Sequence, residues 1–185
     1  MSTRTDTATA VATAWKVDAS HSHVEFAVRH LMIATVKGRF GEVSGTLQGD
    51  ETDLDTAAIE LTIPVSSIDT REAQRDTHLR SGDFFEVDTY PEIRFRSRTI
   101  AKAGTGTFTV DGDLTIRDVT RPLTLTVAPG GRAKDPWGGE RVAYSTTAKI
   151  NRKDFGLTWN QALETGGVLV GDEVRISAEL EFVRA

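Results

Sequence analysis

Strict alternation of apolar and polar side chains constrains this chain more than any other feature. Leu123, Leu125 and Val127 alternate with Thr124 and Thr126, which places three apolar groups on one face of an extended segment and two hydroxyls on the other. That is the period of a half-buried strand. It recurs at Val24-Phe26-Val28, Ile59-Leu61-Ile63-Val65, Ile93-Phe95, Phe108-Val110, Leu114-Ile116 and Val174-Ile176-Ala178-Leu180-Phe182. Glycine-bearing turn signals at Gly45, Gly49, Gly104, Gly112, Gly130, Gly138 and Gly166 separate these stretches and leave room for about eight to ten strands. The connections are too short for the helical crossovers that parallel strands need, so the expectation is an antiparallel meander.

A chain of 185 residues with this pattern is expected to form one domain, residues 15–185, after a flexible N-terminal tail over residues 1–14. Alternation alone fits either a sandwich or a closed barrel. Successive short connections without a long Greek-key crossing favour the barrel. No stretch approaches the roughly 18 apolar residues of a membrane-spanning helix, so an integral membrane protein is not expected. A net charge of −5 and the lack of a basic stripe argue against nucleic acid as a partner. Cysteine is absent, which removes disulfides, thiolate nucleophiles and cysteine-based metal sites. The Thr- and Ala-rich start lacks the apolar core of a secretory signal, and a cytoplasmic location is the expectation.

One polar insert, Ser67 to Asp83, interrupts the strands and runs directly into Phe84 and Phe85. Asp69 and Glu72 have the spacing of a capping box, which predicts a helix from about Thr70 to Leu79 with Gly82 closing it. Only Ala73 and Leu79 could face a core, so such a helix must lean on caps, charge pairs and contacts of its polar side chains. The four carboxylates Asp69, Glu72, Asp76 and Asp83 oppose Arg71, Arg75 and Arg80, so the insert is not a simple anion magnet. The expectation is a cap on one end of the barrel that offers His78 and an arginine to a ligand. Residues 156–163 are expected to form a further short helix or a loop.

Three kinds of chemistry can be weighed. His21 and His23 share a strand face, and with His30 or His78 they have the numbers for a three-His zinc site, making a metal-binding protein or metal-dependent enzyme the alternative reading. Period-2 counting opposes it: with Val24, Phe26 and Val28 inward, His30 joins them while His21 and His23 face out. Ser22 with a histidine and Asp18 or Asp76 has the residue types of a triad, but no nucleophile elbow, phosphate loop or dinucleotide fingerprint accompanies it. A non-enzymatic protein without a cofactor is therefore expected. Asn151 and Arg152, in the segment running to Gly156, join Arg75, His78 and Arg80 as candidates for a polar rim around an anionic or hydrogen-bonding head group.

Taken in order, these segments resemble the YceI-like family of polyisoprenoid- or lipid-binding barrels. The matching pieces include Trp15 to Asp18 with His21 and Ser22, Val24 to Leu31, Gly38 to Phe40, Ser67 to Thr70, Arg75 to Leu79, Asp83 to Phe85, Tyr90-Pro91, Gly112 to Ile116 and Asn151 to Gly156. The resemblance implies an all-β, extended, lipocalin-like antiparallel barrel of about eight strands with one or two short helices. Its elongated apolar pocket is expected to hold a long-chain isoprenoid, a quinone-like lipid or another amphiphile for binding, storage or transport, and a homodimer is allowed. Candidate lining residues are Phe26, Val28, Phe40, Ile63, Phe85, Phe95, Leu114 and Leu125.

Overall fold

The computed structural model describes residues 13–50 and 53–185; the expected tail, apart from Thr13 and Ala14, lies outside them. Among the described residues eleven strands form one antiparallel sheet: β1 (Ala14–Val17), β2 (His23–His30), β3 (Ala34–Phe40), β4 (Ser44–Asp50), β5 (Asp53–Pro64), β6 (Ile68–Asp69), β7 (Glu92–Ala103), β8 (Thr107–Ile116), β9 (Val119–Lys134), β10 (Glu140–Asn151) and β11 (Val170–Arg184). The order β1-β4-β5-β7-β8-β9-β10-β11 returns to β1 and so closes an eight-stranded barrel. Around most of the ring, consecutive segments pair, as the short connections require.

The excess over eight comes from breaks in the first three staves. β1 and β2 both lie along β11, with Trp15 opposite Arg184 and Val24 opposite Ala178. Between them Ala19–His21 form a 3-10 turn capped by the Asp18 side chain. There the buried Ser22 hydroxyl accepts from the Glu181 amide (3.0 Å) and donates to its carbonyl (3.3 Å), standing in for a ladder pair. β3 and β4 are likewise one interrupted stave, pairing with β2 and β1 respectively, and β6 and β5 are the next.

The alternation fills the interior. Val174, Ile176, Ala178, Leu180 and Phe182 point into the barrel from β11, and Leu123, Leu125 and Val127 do so from β9. In β7 a one-residue slip between Ser97 and Thr99 moves the inward phase from Ile93 and Phe95 to Ile100. Two glycines make room for rings. A Cβ on Gly112 would stand 2.5 Å from the Phe95 ring, and one on Gly38, directly opposite Phe26, would collide with that ring. Both phenylalanines therefore lie flat across the sheet and shape the interior.

The insert carries the one α-helix among the described residues, α1 (Ala73–Arg80), which starts later than expected. Glu72 is the N-cap, accepting from the amides of Gln74 and Arg75, while Asp69 closes a turn onto the Arg71 amide. Asp76 is buried and accepts from both the amide (2.9 Å) and the hydroxyl (2.6 Å) of Thr70. The polar insert thus docks through its polar groups. Ser81, not a left-handed Gly82, ends α1 by donating its amide to the His78 carbonyl. Of the short helix or loop expected at residues 156–163, the structure has the loop; a 3-10 turn at Arg152–Phe155 precedes it and stops at Gly156 (φ +77°). Phe84 is buried, and Arg117 on the β8–β9 turn pairs with Glu86 at 2.6 Å, fastening the insert across one end of the barrel.

At the other end, Arg141 gathers three carboxylates. Its guanidinium lies 2.7 Å from Asp18 and 3.0 Å from Asp135, and it also contacts Glu181. Hydrogen bonds from Ser20, His21 and Arg141 hold the Asp18 carboxyl well below the usual carboxylate range, and the Gly139 amide with Arg141 does the same for Asp135. A carboxyl depressed in the folded state contributes stability above its ordinary range, which is lost as pH falls through the folded value. Urea unfolding should therefore show stability declining below about pH 4, with a shallower decline in Arg141→Met. An acid limb of the same slope in the variant would remove Arg141 from this role.

Candidate functional site

Two apolar chambers lie end to end inside the barrel. The larger, of about 200 Å³, is reached from the insert end; the inner one, of about 90 Å³, continues toward Leu47, Phe108 and Tyr144. They share Leu61, Phe95, Leu125, Thr146, Ala178 and Leu180 as a common waist. Along β11 the lining runs from Val174 to Phe182, about 26 Å of strand, or about 20 Å of axial depth at the usual barrel tilt. One leaflet of a bilayer is only about 15 Å deep in hydrocarbon. The cavity therefore matches an extended chain rather than a compact ligand.

All eight apolar candidates, Phe26, Val28, Phe40, Ile63, Phe85, Phe95, Leu114 and Leu125, stand on the wall of the larger chamber. The polar candidates separate. Arg75 and His78 line a third space of about 180 Å³ at the mouth, which shares Phe26, Val28, Leu79, Phe84 and Val170 with the larger chamber. His78 Nε2 lies 2.8 Å from Asp83 Oδ2, and its ring meets Phe84 and Trp159 edge-on at 5.1 and 4.7 Å. Arg75 Nε donates to the Thr70 hydroxyl (2.7 Å) and Nη2 to the Thr70 carbonyl (2.8 Å). Both side chains are half-buried, held in place and open to the mouth space.

The structure does not bring the other three to the mouth. Arg80 is directed to the carbonyls of Ser66 and Ile68, clamping α1 to the strand end. Asn151 is exposed and caps the following 3-10 turn through the Lys153 amide. Arg152 does touch the larger chamber, but it is 3% exposed and donates to the carbonyls of Gly171, Leu157, Trp159 and Val170. Burial lowers the pKa of its guanidinium, against the pull of Asp172. Its donors hold a loop together. Sequence reasoning passed over Arg29, Thr70 and Trp159 in the mouth; His30, also there, is in phase with Val28, which was the available signal.

The histidines do not assemble a three-His centre. His21 and His23 are exposed on the outside, while His30 and His78 line the mouth. Among the described residues, the one ligand-like cluster is Asp18, His21 and Glu181, and there the Arg141 guanidinium already provides the cation for both carboxylates. Nor is a triad built: the Ser22 hydroxyl is occupied by the Glu181 backbone and Asp76 by Thr70.

Comparison with known proteins agrees with this architecture. The family model of the YceI-like domain matches residues 15–182. A UPF0312 protein of Staphylococcus aureus is 40% identical over 166 residues, covering 89% of this chain and 94% of the relative. The YCEI protein of Campylobacter jejuni is 30% identical, with a TM-score of 0.71 over 85% of this chain and 90% of that one. A polyisoprenoid binding domain from Saccharophagus degradans shares the fold at 16% identity, with a TM-score of 0.68 over 92% of this chain and 98% of that one.

Proposed function

The chain belongs to the YceI-like family, and from that premise we propose that it binds a long-chain isoprenoid or similar amphiphile in the barrel, as a carrier or store and not as an enzyme. The observation that carries this reading is the continuous apolar lining of the two chambers, about 20 Å deep and entered past a polar mouth. That another domain of this fold is described as polyisoprenoid-binding supports it. Each buried methylene contributes about 0.8 kcal/mol, so ten of them outweigh any one hydrogen bond at the mouth, worth roughly 0.5–3 kcal/mol. The tail sets affinity, and Arg75 and His78 select the head group, an alcohol, a phosphate or a quinone carbonyl.

Titration with prenyl alcohols of increasing length tests this. Affinity should climb with each isoprene unit until the chain exceeds the depth of the cavity, then level off; affinity independent of length would refute the reading. His78→Ala should keep its thermal midpoint and weaken retention by about tenfold, the value of one hydrogen bond. Retention equal to wild type would remove His78 from the head-group site.

A further inference from the structure

We propose that the tip of the β2–β3 hairpin is a membrane-docking surface, which sets the cavity mouth against an anionic phospholipid bilayer; this rests on the lipid-binding reading. Among the described residues four large hydrophobic side chains are exposed, and three gather at one place: Met32 (55%), Ile33 (79%) and Val168 (36%). The Leu31 amide donates to the Leu169 carbonyl at 2.9 Å, tying the hairpin tip to the loop that carries Val168. His30 and Leu169 line the mouth space, so this apolar lip is continuous with the cavity entrance. Trp137, the fourth exposed residue, lies on the β9–β10 turn at the opposite end of the barrel.

The backbone of the tip is unusual in the direction a docking role requires. The Ile33 amide donates to the His30 carbonyl (3.1 Å), and Leu31 and Met32 both have positive φ, 52° and 61°. That is a type I′ turn, which ordinarily takes Asn-Gly because large side chains strain in the left-handed region. Here the two strained positions hold Leu and Met beside an exposed Ile, the sort of local cost retained where the exposed groups have a use. The charge fits as well. Arg29 and Lys37 flank the tip with no carboxylate between them, in a chain whose net charge is −5, and Glu164 is the one carboxylate in the facing loop 160–169. An apolar tip with flanking cations suits insertion into the headgroup boundary of an anionic leaflet.

Cosedimentation with vesicles of equal parts phosphatidylcholine and phosphatidylglycerol tests the proposal. The wild type should bind, and both Met32→Ser/Ile33→Ser and Leu31→Asn/Met32→Gly should lose about tenfold or more in vesicle affinity. The second variant relieves the turn, so its thermal midpoint should hold or rise, which separates lost docking from lost folding. Trp137→Ser should bind vesicles as the wild type does. Wild-type protein that ignores the vesicles, tip variants that bind them equally well, or tip variants whose only change is in oligomeric state would each overturn the proposal. Uptake of prenyl alcohol added from solvent should survive in the tip variants. If the wild type takes up no prenyl alcohol yet binds vesicles through the tip, ligand binding fails and docking stands; the opposite pattern removes docking alone.

Discussion

Arg152→Met should destabilise the protein by about 3–5 kcal/mol, a large part of the roughly 5–15 kcal/mol that holds an ordinary domain together. Arg152 is 3% exposed; besides the Val170 carbonyl, which Asn160 also serves at 2.7 Å, the carbonyls of Leu157 (2.6 Å), Gly171 (2.8 Å) and Trp159 (2.9 Å) depend on its guanidinium. Removing it strands these acceptors away from water. Lysine would not restore the site, because a single ammonium cannot reproduce the planar fork that reaches several carbonyls at once. Chemical denaturation of Arg152→Met and Arg152→Lys checks this. A loss below about 1 kcal/mol would mean that the loop 157–169 is held at the mouth by other contacts.

Ala178→Trp should abolish ligand loading while leaving a folded barrel. Ala178 borders both chambers on β11, opposite Val24 and Thr146, so an indole there fills the waist that a long chain must pass. Overpacking a filled core costs about 1–3 kcal/mol, and an open chamber on either side lowers that cost. Uptake of prenyl alcohol should fall by more than an order of magnitude, because both the inner depth and the continuity of the apolar wall are lost. Loading at the wild-type level would place the ligand outside the barrel.

The barrel and its lining were legible in the sequence because period-2 alternation reports the face directly: once Val24 or Leu125 is assigned inward, its neighbours two residues away follow. Phe26, Val28, Ile63, Phe95, Leu114 and Leu125 follow from that rule; Phe85, in the turn after α1, and Phe40 were named as large aromatics rather than by phase. The polar site was less legible. Whether an arginine is free for a ligand depends on which carbonyls the fold brings to it, and the partners of Arg80 and Arg152 lie across loops and strand ends that alternation does not encode. The start of α1 was misplaced because Asp69 and Glu72 both have N-cap chemistry, and the tertiary demand of Thr70 for Asp76 decided between them. The β2–β3 hairpin left no turn signature because Leu31 and Met32 occupy the positions where Asn-Gly would announce one.

The most direct measurement is mass spectrometry of an organic extract from wild-type protein purified without detergent, with Ala178→Trp processed in parallel. The wild type should yield a long-chain amphiphile in near-stoichiometric amount, and the variant should yield none. Repeated extracts of folded wild-type protein that contain no such lipid, from protein that also fails to take up prenyl alcohol, would contradict the assignment of this barrel as a lipid-binding cavity.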